Sequence, residues 1–117
     1  MHATIPEEFL DRIAEKFRML ADPTRLSLLR ALMSEEKNVG TVVAETGQNQ
    51  ANVSKHLKML TESGMVLRRK EGLQVFYRVS DPLIERLCTL VCGAILDEAQ
   101  AQVEINREIL KTWKGLG

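Results

Sequence analysis

Hydrophobic residues of this chain recur with one spacing before Gly64 and with another between Gly64 and Ser80. Before the glycine they return every three or four positions, which is typical of helices that pack through one face. After it, residues 65–70 and 73–79 are rich in valine, leucine, phenylalanine and tyrosine and are separated by Glu71 and Gly72. This pattern predicts a two-stranded hairpin with glycine in the turn. Because an isolated hairpin is not stable in water, it must pack on the helices.

Start and stop signals predict five helices around this hairpin. An aspartate followed by proline caps a helix start, and a glycine just beyond the last apolar residue ends a helix. Such starts occur at Asp22 and Asp81, a further proline start occurs at Pro6, and stops occur at Gly47 and Gly64. The predicted helices begin near Pro6, Pro23, Gly40, Gln50 and Pro82, and the last one continues to about Thr112. A length of 117 residues fits one domain, residues 1–117, of mainly α-helical class.

Residues 40–64 combine a short helix, a glycine, a tight turn and a longer helix with a polar face. This order is typical of a helix-turn-helix, and the hairpin at residues 65–79 makes it a winged one. The chain has 16 basic and 16 acidic residues, yet six basic and only two acidic residues lie between Lys55 and Arg78. The resulting excess of four positive charges on one helix and the wing is typical of a DNA-binding surface. Scattered, solvated surface lysines are the alternative.

Three strings in the same order, FRMLADPTRLSLLRAL, QANVSKHLKMLTESGMV and EGLQVFYRVS, resemble the winged helix-turn-helix repressors of the ArsR/SmtB family. The resemblance spans roughly residues 17–80. It implies a homodimer, joined through helices at 1–21 and 82–113, that binds operator DNA without a cofactor and releases it when an inducer binds. Dimer symmetry predicts an inverted-repeat operator with half-sites roughly 34 Å apart. Arg25, within the first string, is expected to pair with a carboxylate or a helix end.

A reading helix contacts base edges mainly with residues near its N-terminus. The polar and basic candidates on the fourth predicted helix are Gln50, Asn52, Ser54, Lys55, His56 and Lys58. Gln50 and Asn52 can each pair with adenine, and Lys55 can bind guanine or a phosphate. The resemblance implies that Gln50, Ser54 and Lys55 contact DNA, although Ala51 stands where several relatives have serine. Asn52 and Ser54 can instead cap the helix or simply be solvated, and His56 can make a structural hydrogen bond.

The predicted wing supplies further candidates, which are Arg68, Arg69, Lys70, Gln74 and Arg78. These side chains would reach the DNA backbone or the minor groove. Because successive side chains of a strand point to opposite faces, either Arg68 and Lys70 or Arg69 can face the DNA, but not all three.

The chain has two cysteines, Cys88 and Cys92, four positions apart on the last predicted helix. This spacing puts both thiols on one helix face, where they can bind a soft metal ion or trivalent arsenic or antimony. Cys88 also lies on the apolar stripe of Ile84, Val91 and Ile95, so burial of reduced, structural cysteines is the alternative. A thiol-redox or persulfide switch is a third interpretation, although this spacing within one regular helix is poorly suited to a disulfide.

The resemblance restricts the inducer sites. The Cys-x-Cys arsenic site that founding members carry on the third helix has no counterpart here, and the last helix lacks the histidine of the family's zinc sites. The chain is more similar to relatives with soft-metal or thiol-reactive cysteines on the terminal helix. Trivalent arsenic prefers three thiolates, so a partner-chain cysteine, a water or a small thiol would complete the site.

Other classes of protein are disfavoured. The sequence has no glycine-rich phosphate loop, HExxH or CxxC motif and only two histidines, so we predict no enzyme. A protein-binding adaptor would have little reason to collect basic residues on its wing. No apolar segment approaches the roughly 20 residues of a membrane span, and no signal peptide is evident. We therefore expect a cytoplasmic protein with reduced cysteines and no membrane partner.

Overall fold

The computed structural model describes residues 4–116 and is mainly helical with one small sheet. Its elements are a 3₁₀-helix at Glu7–Phe9, α1 at Leu10–Leu20, α2 at Pro23–Met33, β1 at Lys37–Asn38, α3 at Val39–Thr46, α4 at Gln50–Glu62, β2 at Val66–Glu71, β3 at Gln74–Val79 and α5 at Pro82–Leu116. This order confirms the predicted winged helix-turn-helix. The chain divides into two compact units, one ending at Asp81 and the other beginning at Pro82. Residues 1–3 of the segment predicted to dimerise lie outside the described residues.

Side-chain caps and glycines fix the helix ends in the first unit. The capping residues of α2, α3 and α4 are Asp22, Asn38 and Asn49. Each accepts the backbone N–H of the residue three positions further on, at distances of 2.7–3.0 Å. Gly47, with φ of 71°, ends α3, and Gly72, with φ of 60°, lies in the hairpin turn. Both angles are in the left-handed region that glycine adopts readily, so these predicted turns are confirmed.

The core of the first unit is built from one face each of α2, α3 and α4 and from the start of β2. Its apolar side chains are at most 3% exposed and are Leu28, Leu29, Leu32, Val42, Val53, Leu57, Leu60, Met65 and Val66. Leu26 on α2 is 39% exposed. The buried stripe of α2 runs through positions 25, 28, 29 and 32, which leaves position 26 at its margin.

Two phenylalanines, one at the end of the 3₁₀-helix and one on α1, are exposed within one chain. Phe9 and Phe17 are 46% and 56% exposed, whereas Met19 is 7% exposed. A face of this kind is expected on a helix that packs against another chain.

The sheet has three strands in the order β1-β3-β2, one more than predicted. The additional strand, Lys37–Asn38, pairs with Tyr77 and Phe76 of β3 and lies in the polar segment between α2 and α3. Hydrophobic alternation cannot reveal a strand of two residues, so the sequence prediction was wrong here. Lys37 is buried, and its Nζ lies 2.8 Å from Oε2 of Glu45 on α3. β1 therefore joins the wing to the helices.

The second unit is helix α5, which continues past the predicted end at Thr112 to Leu116. Its 35 residues give a length of about 50 Å. Most of its large apolar side chains are exposed. Within residues 4–116, no helix combines the length and apolar character needed to cross a membrane.

Candidate DNA-binding surface

A short turn joins α3 to α4, and one polar face of α4 is exposed to solvent. Gly47 closes α3 by donating its N–H to the carbonyl of Val43 at 2.9 Å, and Asn49 opens α4. Val53 and Leu57 are fully buried, so the opposite side of α4 points to solvent. The exposed polar and basic residues there are Gln50, Ser54, Lys55 and Lys58.

Asn49 caps α4, and the side chains of Asn52 and Ser54 do not. Oδ1 of Asn49 accepts the backbone N–H of Asn52 at 2.7 Å. Asn52 is half-buried and Ser54 is exposed. The capping alternative is therefore wrong for both residues, and their side chains stay candidates for contact with DNA.

His56 faces a buried arginine rather than the open side of α4. Nδ1 of His56 lies 3.5 Å from Nη1 of Arg25, which is 8% exposed. Arg25 also donates from Nε to the carbonyl of Met19 at 2.8 Å and from Nη2 to the carbonyl of Arg18 at 3.0 Å. The pKa of Asp22 is lowered mainly because its carboxylate accepts the backbone N–H of Arg25. The expected role of Arg25 at a helix end is confirmed, and its guanidinium connects the end of α1 with α4.

Arg69 on the wing is held by two carboxylates and a ring. Its guanidinium contacts Glu36 at 2.5 Å and Glu71 at 2.6 Å, and its Cζ lies 4.9 Å from the ring centre of Phe76. The hydrogen bond with Arg69 is the main reason that the pKa of Glu36 is lowered, and the charge of Arg78 contributes. Ion pairing with Glu36 and Glu71 raises the pKa of Arg69 further above its usual range.

Arg68 and Lys70 lie on the other face of β2. The register places Arg69 opposite Phe76 and Arg68 opposite Tyr77, so the two arginines point in opposite directions. Gln74 and Arg78 share the face of Arg69 because side chains alternate along β3. Among the described residues, Lys55, Lys58, Arg68 and Lys70 are exposed and form no salt bridge.

The charge count along the sequence therefore overstated the positive charge on one surface. Arg69 belongs to the counted segment, but one of its two acidic partners, Glu36, lies 33 positions earlier in the chain. No local sequence signal points to Glu36, since only the pairing of β1 with β3 brings it near the wing. Glu36 is the residue of this surface that sequence reasoning missed.

Comparison with known proteins agrees with this geometry. The family description "bacterial regulatory protein, arsR family" matches residues 22–67. The probable mercury resistance operon repressor of Streptomyces lividans is 37% identical over 99 residues, which cover 85% of this chain and 79% of that protein. The chain belongs to the arsR family. This arsR-family protein is a DNA-binding transcriptional repressor, and the prediction that it is no enzyme is confirmed because the family is non-enzymatic.

Solved structures of relatives have the same fold. The antimony-specific transcriptional repressor AntR aligns with a TM-score of 0.75 and 28% identity, over 85% of this arsR-family chain and 90% of AntR. A homodimeric winged helix-turn-helix DNA-binding domain from Mycobacterium bovis aligns with a TM-score of 0.68 and 30% identity, over 86% and 94% of the two chains.

The two cysteines lie on α5 as free thiols. Cys88 is half-buried and Cys92 is exposed. Ile84, on the stripe that suggested burial of Cys88, is 1% exposed, but Val91 and Ile95 are 58% and 57% exposed. The apolar stripe is thus only partly covered in a single chain. Within residues 4–116, no group of three or more histidine, cysteine, aspartate and glutamate side chains is placed to hold a metal ion.

Proposed function

We propose that this repressor binds DNA through the exposed face of α4 together with one face of the wing. The proposed base-contacting residues are Gln50, Asn52, Ser54 and Lys55, and the proposed phosphate-contacting residues are Lys58, Arg68 and Lys70. The observation that carries the proposal is the presence of exposed cations without carboxylate partners on both elements. Unpaired cations release counterions from DNA, whereas a cation that already holds two carboxylates contributes little.

In this proposal, Arg69 stabilises the wing and does not contact DNA. Its guanidinium is occupied by Glu36 and Glu71, so it holds the wing against the segment before β1. Gln74 and Arg78 lie on the same face and are assigned no phosphate contact. His56, directed at Arg25, positions α4 and contacts no base.

Two matched substitutions on adjacent residues test the proposed DNA surface. We expect Arg68→Ala to weaken binding to all duplexes alike and to reduce the slope of log affinity against log salt by about one for each phosphate that is no longer neutralised. Arg69→Ala should leave that slope unchanged. The measurement is a fluorescence titration across salt concentrations, with a duplex that the wild-type protein has selected from a random-sequence pool. A lowered slope for Arg69→Ala with an unchanged slope for Arg68→Ala would reverse the assignment.

We further propose that the protein acts as a homodimer on an inverted-repeat operator. The exposed apolar side chains of α1 and α5 support this proposal, and the Mycobacterium bovis relative is described as homodimeric. Twofold symmetry requires two equivalent half-sites, with their centres roughly 34 Å apart.

The proposed inducer is trivalent antimony or arsenic, or another soft metal ion, bound by Cys88 and Cys92. The proposal is supported by the presence of two free thiols one helical turn apart on α5. Thiolates favour such soft ions, and two relatives are described as a mercury resistance repressor and an antimony-specific repressor. Two thiols from one chain leave one position of a three-coordinate ion for a cysteine of the second copy, a water or a small thiol.

The inducer proposal predicts that the double variant Cys88→Ser/Cys92→Ser keeps its DNA affinity but no longer responds to antimonite or arsenite. For the wild type, we expect the ion to lower DNA affinity by about 5–150-fold, the usual range for coupling between two sites. The single variants are the controls, and DNA binding is titrated in a reducing buffer with and without the ion. Release of the double variant by the ion contradicts the proposed site. Release of the wild type only by an oxidant or a persulfide donor favours the thiol-redox alternative.

A further inference from the structure

Methionines are concentrated around one cavity of the first unit. The cavity has a volume of about 550 Å³ and is lined by residues of α1, of the end of α4 and of the segment before β2. Of the four methionines that the structure describes, Met19, Met59 and Met65 line it and Met33 does not. Met19 and Met65 are 7% and 3% exposed, and Met59 is half-buried. These three, the cavity methionines, come from three separate segments and border one space that the core leaves unfilled.

The backbone of each cavity methionine is held by a hydrogen bond, whereas its side chain can adapt. The carbonyl of Met19 accepts Nε of Arg25 at 2.8 Å, and the carbonyl of Met59 accepts the N–H of Ser63 at 3.0 Å. Met65 donates its N–H to a carbonyl of the last turn of α4 at 3.1 Å. A methionine side chain is unbranched, has three rotatable bonds and ends in a polarisable thioether. The cavity therefore gives three anchored thioethers the room to converge on one bound ion.

The charges around the cavity disfavour a multiply charged ion. Besides the methionines, its lining contains two basic residues, Arg12 and Lys16, and two acidic residues, Glu15 and Glu62, so these charges cancel. Thioethers are neutral donors and leave a bound ion with its full charge. Because the cost of removing an ion from water rises steeply with its charge, such donors favour a monovalent ion over a divalent one. Thioethers also select soft ions such as Cu(I).

We propose that Met19, Met59 and Met65 form a binding site for a soft monovalent cation, Cu(I) or Ag(I). The site lies within the DNA-binding unit and shares no residue with the proposed inducer site at Cys88 and Cys92. A bound ion connects α1 with the end of α4. Thioethers have no proton to lose, so the site keeps its affinity at about pH 5, where thiols and imidazoles are protonated.

An Ag(I) titration of a chain without cysteines tests which donors bind the ion. The variant Cys88→Ser/Cys92→Ser removes both thiols of the full-length chain. At about pH 5 the imidazoles are protonated as well, so thioethers are the soft donors that remain. With ¹³C-labelled methionine methyl groups, silver nitrate should shift the NMR signals of the three cavity methionines and leave the signal of Met33 in place. This measurement keeps every methionine, so it does not depend on the folding of a methionine variant.

Replacement of Met59 by leucine tests the affinity, because leucine is apolar and similar in volume but lacks the sulfur. In the same background without cysteines, Met59→Leu should weaken Cu(I) binding by at least about tenfold, since even loss of a side chain that only orients a metal ligand costs about 10–100-fold. Met33→Leu is the matched control and should bind Cu(I) as before. Competition with bathocuproine disulfonate, in ascorbate and without oxygen, measures the dissociation constants.

Three results overturn the proposed site: no shift of the cavity methionines, a shift of Met33 as large as theirs, or an unchanged affinity in a folded Met59→Leu variant. None of these measurements involves DNA, and no cysteine is present in the chain that is titrated. Failure of this site is therefore distinguishable from failure of the proposed DNA surface and of the proposed inducer site.

Discussion

Replacement of Arg25 by alanine is expected to lower the free energy of unfolding by about 2–4 kcal/mol, because it removes a buried cation with several hydrogen bonds. The side chain is 8% exposed and donates to the carbonyl groups of Met19 and Arg18. In the alanine variant, these two carbonyl groups at the end of α1 lose the guanidinium as their hydrogen-bond donor. The ring of His56 on α4 loses its contact with the same guanidinium. Urea unfolding followed by circular dichroism measures the change.

Arg25→Lys and His56→Ala separate the parts of this network. Lysine keeps the charge of Arg25 but has no planar group that reaches two carbonyls at once, so we expect an intermediate decrease in stability. His56→Ala should change stability less than Arg25→Ala, because only a single 3.5 Å interaction is removed. If Arg25→Lys is as stable as the wild type, the charge alone matters and the hydrogen bonds to α1 are unimportant.

Truncation of Leu57 to alanine should destabilise the protein by about 2–5 kcal/mol, because it opens a cavity in a packed core. Leu57 is fully buried on α4, next to the proposed reading face. The neighbouring Lys58→Ala is the matched control: its side chain is exposed, so stability should change by less than about 0.5 kcal/mol. Thermal or urea unfolding measures both variants.

The pair also separates folding from DNA binding. Lys58→Ala should lower DNA affinity and the salt slope despite its wild-type stability. Leu57→Ala should bind DNA with a near-native slope at temperatures where it remains folded. A strongly destabilised Lys58→Ala variant would show that this side chain supports the fold and would remove it from the DNA surface.

Local signals in the sequence were sufficient for most of the fold. Asp22 followed by Pro23 predicted the start of α2, and the glycines at 47 and 72 predicted turns that have positive φ angles. These features depend on residues close together in the chain, which is why they could be predicted. The strand Lys37–Asn38 depends instead on β3, about 40 positions later, and no local pattern indicates it.

The sequence predicted which residue types form the candidate DNA surface, but not which of its side chains are already paired or which residue caps α4. Alternation along a strand required Arg68 and Arg69 to point in opposite directions, but it could not show that Arg69, and not Arg68, pairs with Glu71 and with the distant Glu36. Capping of α4 was one alternative to DNA contact for Asn52 and Ser54, whereas Asn49, one position before the helix, fills that role. Tertiary contacts decide which arginine is paired, and the exact first residue of α4 decides which side chain caps it.

The three-stranded sheet has a consequence for exchanging modules between relatives. β1 contributes two residues to the wing, and Glu36 and Lys37 tie that strand to Arg69 and to α3. A chimera that transplants only the hairpin would leave behind Glu36, which is one of the two carboxylates that pair with Arg69, and the strand that completes the sheet edge. A functional graft must therefore carry residues 36–38 along with residues 66–79, although the two segments are far apart in the gene.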